Sequence, residues 1–317
     1  MSIPDFDDVK AAHKRIKPYI HRTPILTSSF FNTLTGAELY FKCENFQKAG
    51  AFKARGAVNA VYGLSDQDAT AGVATHSSGN HGQALSYAAG RRGIKATVVM
   101  PDNAPEPKKA AVRGYGGEVL ECVPSNAARE NTLKAFIEQS GAEFVHPYND
   151  SRVIAGQATC ALELFEDTDH LDALIAPIGG GGLVAGTCLT ASNIMPGTPV
   201  FAAEPKNADD AWQSLRAGRI IERDAPDTIA DGLKTNLAPL TWHFVSNQVK
   251  DILLATEQEI IDAMFLTWER MKIIIEPSCA VPLAAIINNR KLFAGLKVGV
   301  ILTGGNVDLN KLPWLKS

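Results

Sequence analysis

Four consecutive glycines, Gly179-Gly180-Gly181-Gly182, stand directly after the apolar run 173–178 and directly before the helix-forming run 183–194. No other feature constrains the chain as much. In open α/β sheets, ligands sit at the carboxyl ends of strands. Glycines at such an end bring backbone N–H groups to an anion with no Cβ in the way, and the following helix points its positive N-terminus at the same spot. The junction predicts a phosphate site. Gly180-x-Gly182-x-x-Ala185 also fits the dinucleotide fingerprint, with Glu204 closing the next strand about 20 residues on, where a ribose-binding acid would stand. An NAD-dependent oxidoreductase is therefore a rival reading.

The rest of the chain supports an α/β architecture. Strands are expected at 38–42, 72–76, 96–100, 118–122, 143–146, 173–178, 199–204 and 297–303. Helices are expected at 83–91, 105–113, 127–138, 154–165, 183–194 and 257–272. Ser125 and Asn126 precede one as capping residues, and Thr256 with Glu259 forms a capping box for another. Alternation of this kind predicts mostly parallel, open, twisted sheets covered by helices on both faces. Residues 72–146 repeat strand–helix three times and end on a strand, which makes a compact three-layer unit. The expected division is a small domain, 71–148, inserted into a larger one built from 1–70 and 149–317.

Charge and composition exclude other classes. Against 34 acidic residues stand 31 Lys and Arg, a formal net charge of −3, so nothing favours a nucleic-acid backbone as partner. No apolar run reaches the roughly 18 residues of a membrane span, and residues 1–21 lack the apolar core of a signal peptide. Cys43, Cys122, Cys160, Cys188 and Cys279 show no CxxC spacing and read as reduced, packed thiols of a cytoplasmic protein. His76 and His81 lack a third ligand at zinc spacing and read as packing residues.

Two further loops follow strands: Ser77-Ser78-Gly79-Asn80-His81-Gly82 and Thr303-Gly304-Gly305-Asn306. Lys53, in Gly50-Ala51-Phe52-Lys53-Ala54-Arg55-Gly56-Ala57, begins a helix between an aromatic and small residues. A partly buried lysine with a lowered pKa is what Schiff-base chemistry requires. An aldehyde cofactor carrying one phosphate would join this lysine to the glycine loop, and pyridoxal phosphate is the natural candidate.

Taken in order, these four motifs, with Ile229-Ala230-Asp231-Gly232 and Glu276-Pro277, resemble the fold-type II pyridoxal-phosphate enzymes (tryptophan synthase β-like). Within them the chain is similar to the serine/threonine dehydratase, serine racemase and 3-hydroxyaspartate dehydratase group. The resemblance covers essentially the whole chain. It departs at Ala51, where many relatives carry a serine.

The resemblance implies roles. Lys53 would hold the cofactor and move the α-proton; residues Gly179, Gly180, Gly181 and Gly182 would bind the phosphate. Asn80 would bond the ring oxygen, Thr303 the ring nitrogen, Phe52 and Gly232 would flank the ring, and Glu276 would belong to the same cofactor site. Ser77, Ser78, Gly79, Asn80 and His81 would receive the substrate carboxylate, with Ser78 the acid/base on the opposite face. Arg129 would reach a distal carboxylate. Glu204, Ala208 through its carbonyl, and Asp210 would bind Mg²⁺ or Ca²⁺ through oxygen; without a metal, the segment would be a helix start capped by Asn207 and followed by acids. The expected activity is α,β-elimination from 3-hydroxyaspartate, L-serine or L-threonine, with serine or aspartate racemisation as the alternative. A homodimer without a C-terminal regulatory domain is expected, acting on a small amino acid.

Overall fold

The structure is a computed structural model that describes residues 2–77 and 79–315, with Asn126 described in its backbone alone. Its strands are β1 (Ile25–Leu26), β2 (Glu38–Cys43), β3 (Val73–His76), β4 (Ala96–Pro101), β5 (Glu118–Cys122), β6 (Glu143–Phe144), β7 (Ala173–Pro177), β8 (Val200–Pro205), β9 (Val249–Ala255) and β10 (Lys297–Leu302). They form a six-stranded sheet in the order β1-β2-β10-β7-β8-β9 and a four-stranded sheet in the order β5-β4-β3-β6. All pairings are parallel except β1 with β2. The smaller sheet comes from the expected strand–helix unit.

The larger sheet is apolar on both faces because helices cover both. Leu39, Phe41, Ile175, Phe201, Val298 and Val300 enter one core, while Leu174, Ala176, Val200, Ala202 and Ile301 enter the other. Strand alternation thus sends neighbouring apolar residues to opposite cores.

Besides β1 and the helices Phe6–Ile16, Ser29–Thr35 and Pro239–Gln248, strand β9 and helix Pro277–Asn288 are absent from the expected elements, the last two for clear physical reasons. Strand β9 lies at the sheet edge and carries Lys250 and Asp251, so its pattern is not a clean apolar run. Helix Pro277–Asn288 has Pro282 inside it and is buried from Ser278 through Ile286, so no polar face marks its period. The strand expected over 143–146 stops at Phe144, because the chain turns at His146. The capping expectations hold: Ser125 Oγ accepts the Ala128 N–H, and the Thr256–Glu259 box is formed. All five cysteines are free and buried.

One buried ionic cluster ties these layers together. Arg55, in helix Lys53–Tyr62, is fully buried and donates to both carboxylate oxygens of Glu44 (2.7 and 2.8 Å) and both of Glu163 (2.9 and 2.7 Å). Lys42 Nζ, also fully buried, donates to Glu163 (2.8 Å) and to the Thr23 carbonyl (2.7 Å). Two cations face two anions, so the cluster is neutral. Burial alone would raise the Glu163 pKa, but the hydrogen bonds and charge of Arg55 and the charge of Lys42 outweigh it and bring it to about 2. Beside the cluster, helix Lys53–Tyr62 meets helix Ser151–Glu166 backbone to backbone. A Cβ on Gly156 would stand 2.6 Å from Gly56 Cα.

Arg55→Met should leave Glu44 and Glu163 buried without their cation, and removal of one partner from such a cluster costs about 3–5 kcal/mol. Urea unfolding of the cofactor-free variant against the parent measures this. A loss under about 1 kcal/mol, the value of an exposed pair, would refute it.

Candidate active site

Three adjacent parallel strands explain how distant motifs meet. β2, β10 and β7 are neighbours, so the loops leaving their carboxyl ends share one edge of the sheet. Those loops carry Lys53, Thr303 and the four glycines. The segment before Lys53 is stitched to the loop after β10. Phe52 N–H donates to the Thr303 carbonyl (3.0 Å), Gly305 N–H to Gly50 (3.0 Å), and Asn306 Nδ2 to Ala49 (2.8 Å). Ala49 is held at φ 55°, a left-handed conformation uncommon outside glycine and asparagine.

Lys53 opens helix Lys53–Tyr62, half-buried, with Nζ donating to the Pro147 carbonyl at 2.8 Å and lying 5.1 Å from the centre of the Phe52 ring. Among the described residues no carboxylate bonds it. Burial lowers its pKa to about 8, the direction that frees an amine for nucleophilic attack.

The glycine loop leads into helix Gly182–Ile194, whose first turn has no side-chain cap. Gly181 sits at φ 84°, and a Cβ on Gly180 would run into the Tyr148 ring. An uncapped helix start with a glycine approach suits a phosphate. Together with the amine, the residues present fit pyridoxal phosphate.

Thr303 is buried. Gly232 N–H donates to Ser278 Oγ (3.0 Å), beside helix Pro277–Asn288. Glu276, 5% exposed, accepts from Asn80 Nδ2 (2.8 Å) and Asn306 N–H (3.1 Å), and Asn80 Oδ1 accepts from Asn306 Nδ2 (2.9 Å). Burial, then the charge of Asp231, raises the Glu276 pKa to about 8 despite those bonds.

Helix Asn80–Arg92 begins after Gly79, again with no side-chain cap, and Gly79 N–H donates to Ser77 Oγ (3.3 Å). Ser78 lies outside the described residues. His81 is buried, with Nε2 against the Val145 carbonyl (3.0 Å), and His76 rests near Phe144 and His146. Both imidazoles are packing groups, and among the described residues no cluster of three or more His, Cys, Asp or Glu gathers as a metal site. Arg129 is half-buried in helix Asn126–Ser140; burial, then the charge of Arg129, lowers the His76 pKa.

The acidic segment differs from its expected capped form. Asn207 does not cap the helix; its Nδ2 donates to the Asp227 carbonyl. Glu204, fully buried at the end of β8, accepts the N–H groups of Ala211 (3.0 Å) and Trp212 (2.9 Å) at the start of helix Asp210–Ala217. Asp210 Oδ2 is buried with no hydrogen-bond partner among the described residues. Burial, then the nearby Asp210, raises Glu204 well above the usual carboxylate range; burial brings Asp210 to about 7. Two buried carboxylates sharing one place, one with an orphaned oxygen, fit a hard cation.

The sequence reading missed the Arg55 cluster, His146 and Tyr148, and it quoted Asn306 in a loop without giving it a role. Residues 146–150 do follow a strand and precede a helix, the signal used for the other loops, but without glycines they carry no anion signature.

The architecture and this site define the class. A family model described as pyridoxal-phosphate dependent enzyme matches residues 16–304, and the chain belongs to that family. It is 61% identical over 314 residues to the β-hydroxyaspartate dehydratase of Paracoccus denitrificans (strain Pd 1222), covering 99% of this chain and 100% of that one. The crystal structure of serine racemase from Dictyostelium discoideum superposes with a TM-score of 0.93 at 51% identity, covering 97% and 100% of the two chains. That of a T.th. threonine deaminase gives 0.92 at 41%, covering 96% and 99%. The chain is thus a pyridoxal-phosphate enzyme of the serine/threonine dehydratase group. The oxidoreductase reading falls with this.

Glu276 keeps in the folded state a proton that the unfolded chain releases near pH 4.5. Its contribution to stability is therefore full below about pH 4.5 and falls as pH rises toward about 8. Thermal melts of cofactor-free Glu276→Gln and parent should converge near pH 5 and separate in the variant's favour by pH 8. A constant difference across that range would contradict the assignment.

Proposed function

We propose that this enzyme dehydrates β-hydroxy amino acids, with 3-hydroxyaspartate as leading substrate and L-serine and L-threonine as further ones. The α-proton and β-hydroxyl leave as water, and the enamine hydrolyses to a 2-oxo acid and ammonia. The observation that carries this is the meeting of a low-pKa lysine amine and an uncapped glycine-loop helix start at one sheet edge. Its high identity to a β-hydroxyaspartate dehydratase supports the substrate.

Pyridoxal phosphate, when bound, supplies an electron sink beside the substrate's α-carbon. Lys53 would hold it through its amine, residues 179–182 its phosphate, and Asn80 its ring oxygen, with Phe52 and Gly232 at the ring faces and Glu276 beside Asn80. Thr303 would face the ring nitrogen; a hydroxyl there cannot hold a proton on nitrogen as a carboxylate would, which suits loss of a β-hydroxyl. Near neutral pH a share of a pKa-8 amine is free base, as removal of the α-proton requires. The backbone of residues 77–81, at an uncapped helix start, would receive the α-carboxylate. Arg129 would pair with a second carboxylate; its neighbour His76 ends the strand that feeds that loop. Racemisation is the second reading, favoured by the similarity to a serine racemase, with Ser78 as the opposite-face acid/base.

The two sheets support the division into 1–70 with 149–317 and an inserted 71–148. Glu204, the Ala208 carbonyl and Asp210 would bind Mg²⁺ or Ca²⁺, supported by the orphaned Asp210 oxygen. No helix among the described residues is long and apolar enough to cross a membrane. A cytoplasmic homodimer is part of the proposal.

The purified protein should be yellow, and Lys53→Ala should abolish turnover. Arg129→Ala should lower kcat/KM for 3-hydroxyaspartate by about 30-fold or more, the cost of unpairing a buried charge, while serine changes far less. An equal loss on both substrates would return the reading to a serine/threonine dehydratase.

Chelation should lower the melting temperature and Mg²⁺ or Ca²⁺ restore it. A cation at ~100 times its dissociation constant adds about 2.7 kcal/mol. A melting temperature indifferent to chelator would reduce the acidic segment to a helix start capped by Glu204.

A further inference from the structure

Between β6 and helix Ser151–Glu166 the chain turns through residues 146–150, and one side chain organises that turn. His146 Nδ1 accepts the backbone N–H groups of Tyr148 (3.2 Å) and Asn149 (2.9 Å). A ring nitrogen that accepts carries no proton, so the imidazole is neutral with its hydrogen on Nε2. Its surroundings favour that form: burial, then His76 and Lys53, lower its pKa to about 4 against the opposing charge of Asp150. The His146 and Tyr148 rings meet edge to face, with centres 4.6 Å apart at 87°.

This turn touches both ends of the site. The Pro147 carbonyl is the acceptor for Lys53 Nζ. The Tyr148 side chain lies against Gly180 and Gly182, where a Cβ on either glycine would collide with it. Asn149 Oδ1 accepts the Leu240 N–H (3.2 Å) and pins the turn to helix Pro239–Gln248.

We propose that His146 is a positioning residue of the cofactor site: its Nδ1 fixes the turn whose Pro147 carbonyl orients the Lys53 amine and whose Tyr148 ring backs the glycine loop. The inference rests on the reading of Lys53 and residues 179–182 as the cofactor's two anchors. The role of His146 is exerted through the turn that its Nδ1 holds. An acceptor is what the position needs, since two N–H groups in a half-buried turn would otherwise lose theirs.

The test titrates the full-length, cofactor-stripped chain with pyridoxal phosphate and follows the visible band, in parent, His146→Leu and His146→Asn. Leucine removes the acceptor, whereas asparagine places a carbonyl oxygen close to where Nδ1 stood. The leucine variant should bind pyridoxal phosphate about tenfold or more weakly, and asparagine should recover most of that loss. Unchanged affinity in the leucine variant, or a loss that asparagine does not recover, would overturn the inference. Should the leucine variant not fold, the ¹⁵N spectrum of the parent decides: a protonated Nδ1 overturns the inference, and an unprotonated one upholds it. If the parent gives no band, or Lys53→Ala keeps it, the reading of Lys53 fails and this inference with it. A normal parent beside an unaffected leucine variant sinks the inference alone.

Discussion

The neutral ionic cluster around Arg55 is the interaction on which the rest of the structure depends. Lysine chemistry needs an amine that is short of solvent and free of a carboxylate partner, and burying such a residue gains nothing by itself. The chain places it two residues from an arginine whose guanidinium is fully paired. Glu44 comes from the end of β2 and Glu163 from helix Ser151–Glu166, so Arg55 clamps the start of the lysine helix between a strand end and a second helix. The carboxylates are consumed by Arg55 and Lys42. Lys53 is left with a backbone carbonyl as its acceptor, which does not hold it charged as an anion would.

Sheet order does the remaining assembly. Because β2, β10 and β7 are neighbours and parallel, a lysine at 53, glycines at 179–182 and a threonine at 303 leave the sheet on the same side. The glycine-to-glycine contact of Gly56 with Gly156 then lets the lysine helix approach the helix that follows the 146–150 turn. That turn returns the Pro147 carbonyl to the lysine and Tyr148 to the glycines. Asn80, opening the helix that follows β3 of the smaller sheet, reaches Glu276, which precedes helix Pro277–Asn288 against the larger sheet.

Much of this was legible along the chain. Strand–helix alternation exposes the parallel sheets because most strands are short apolar runs set between helix-forming ones; the edge strand β9, with Lys250 and Asp251, and the helix Pro277–Asn288, with Pro282 inside it, break that pattern. The glycine loop is legible because glycine's missing Cβ is a local property. Lys53 is legible only by the company it keeps. Asn207 illustrates the opposite case: its sequence position suggests a cap, yet the helix is capped by Glu204 from the preceding strand.

The sequence by itself determined the alternation, the four-glycine loop, the candidate lysine and the family resemblance, since each is written in neighbouring residues. Tertiary structure decided which charges neutralise one another and which side chain stands behind which loop. Glu44 and Glu163 are 119 positions apart and share one guanidinium; His146 has no signature until its ring nitrogen is seen under two N–H groups. Pairing energies depend on distance and burial, and chain order carries neither for residues so far apart.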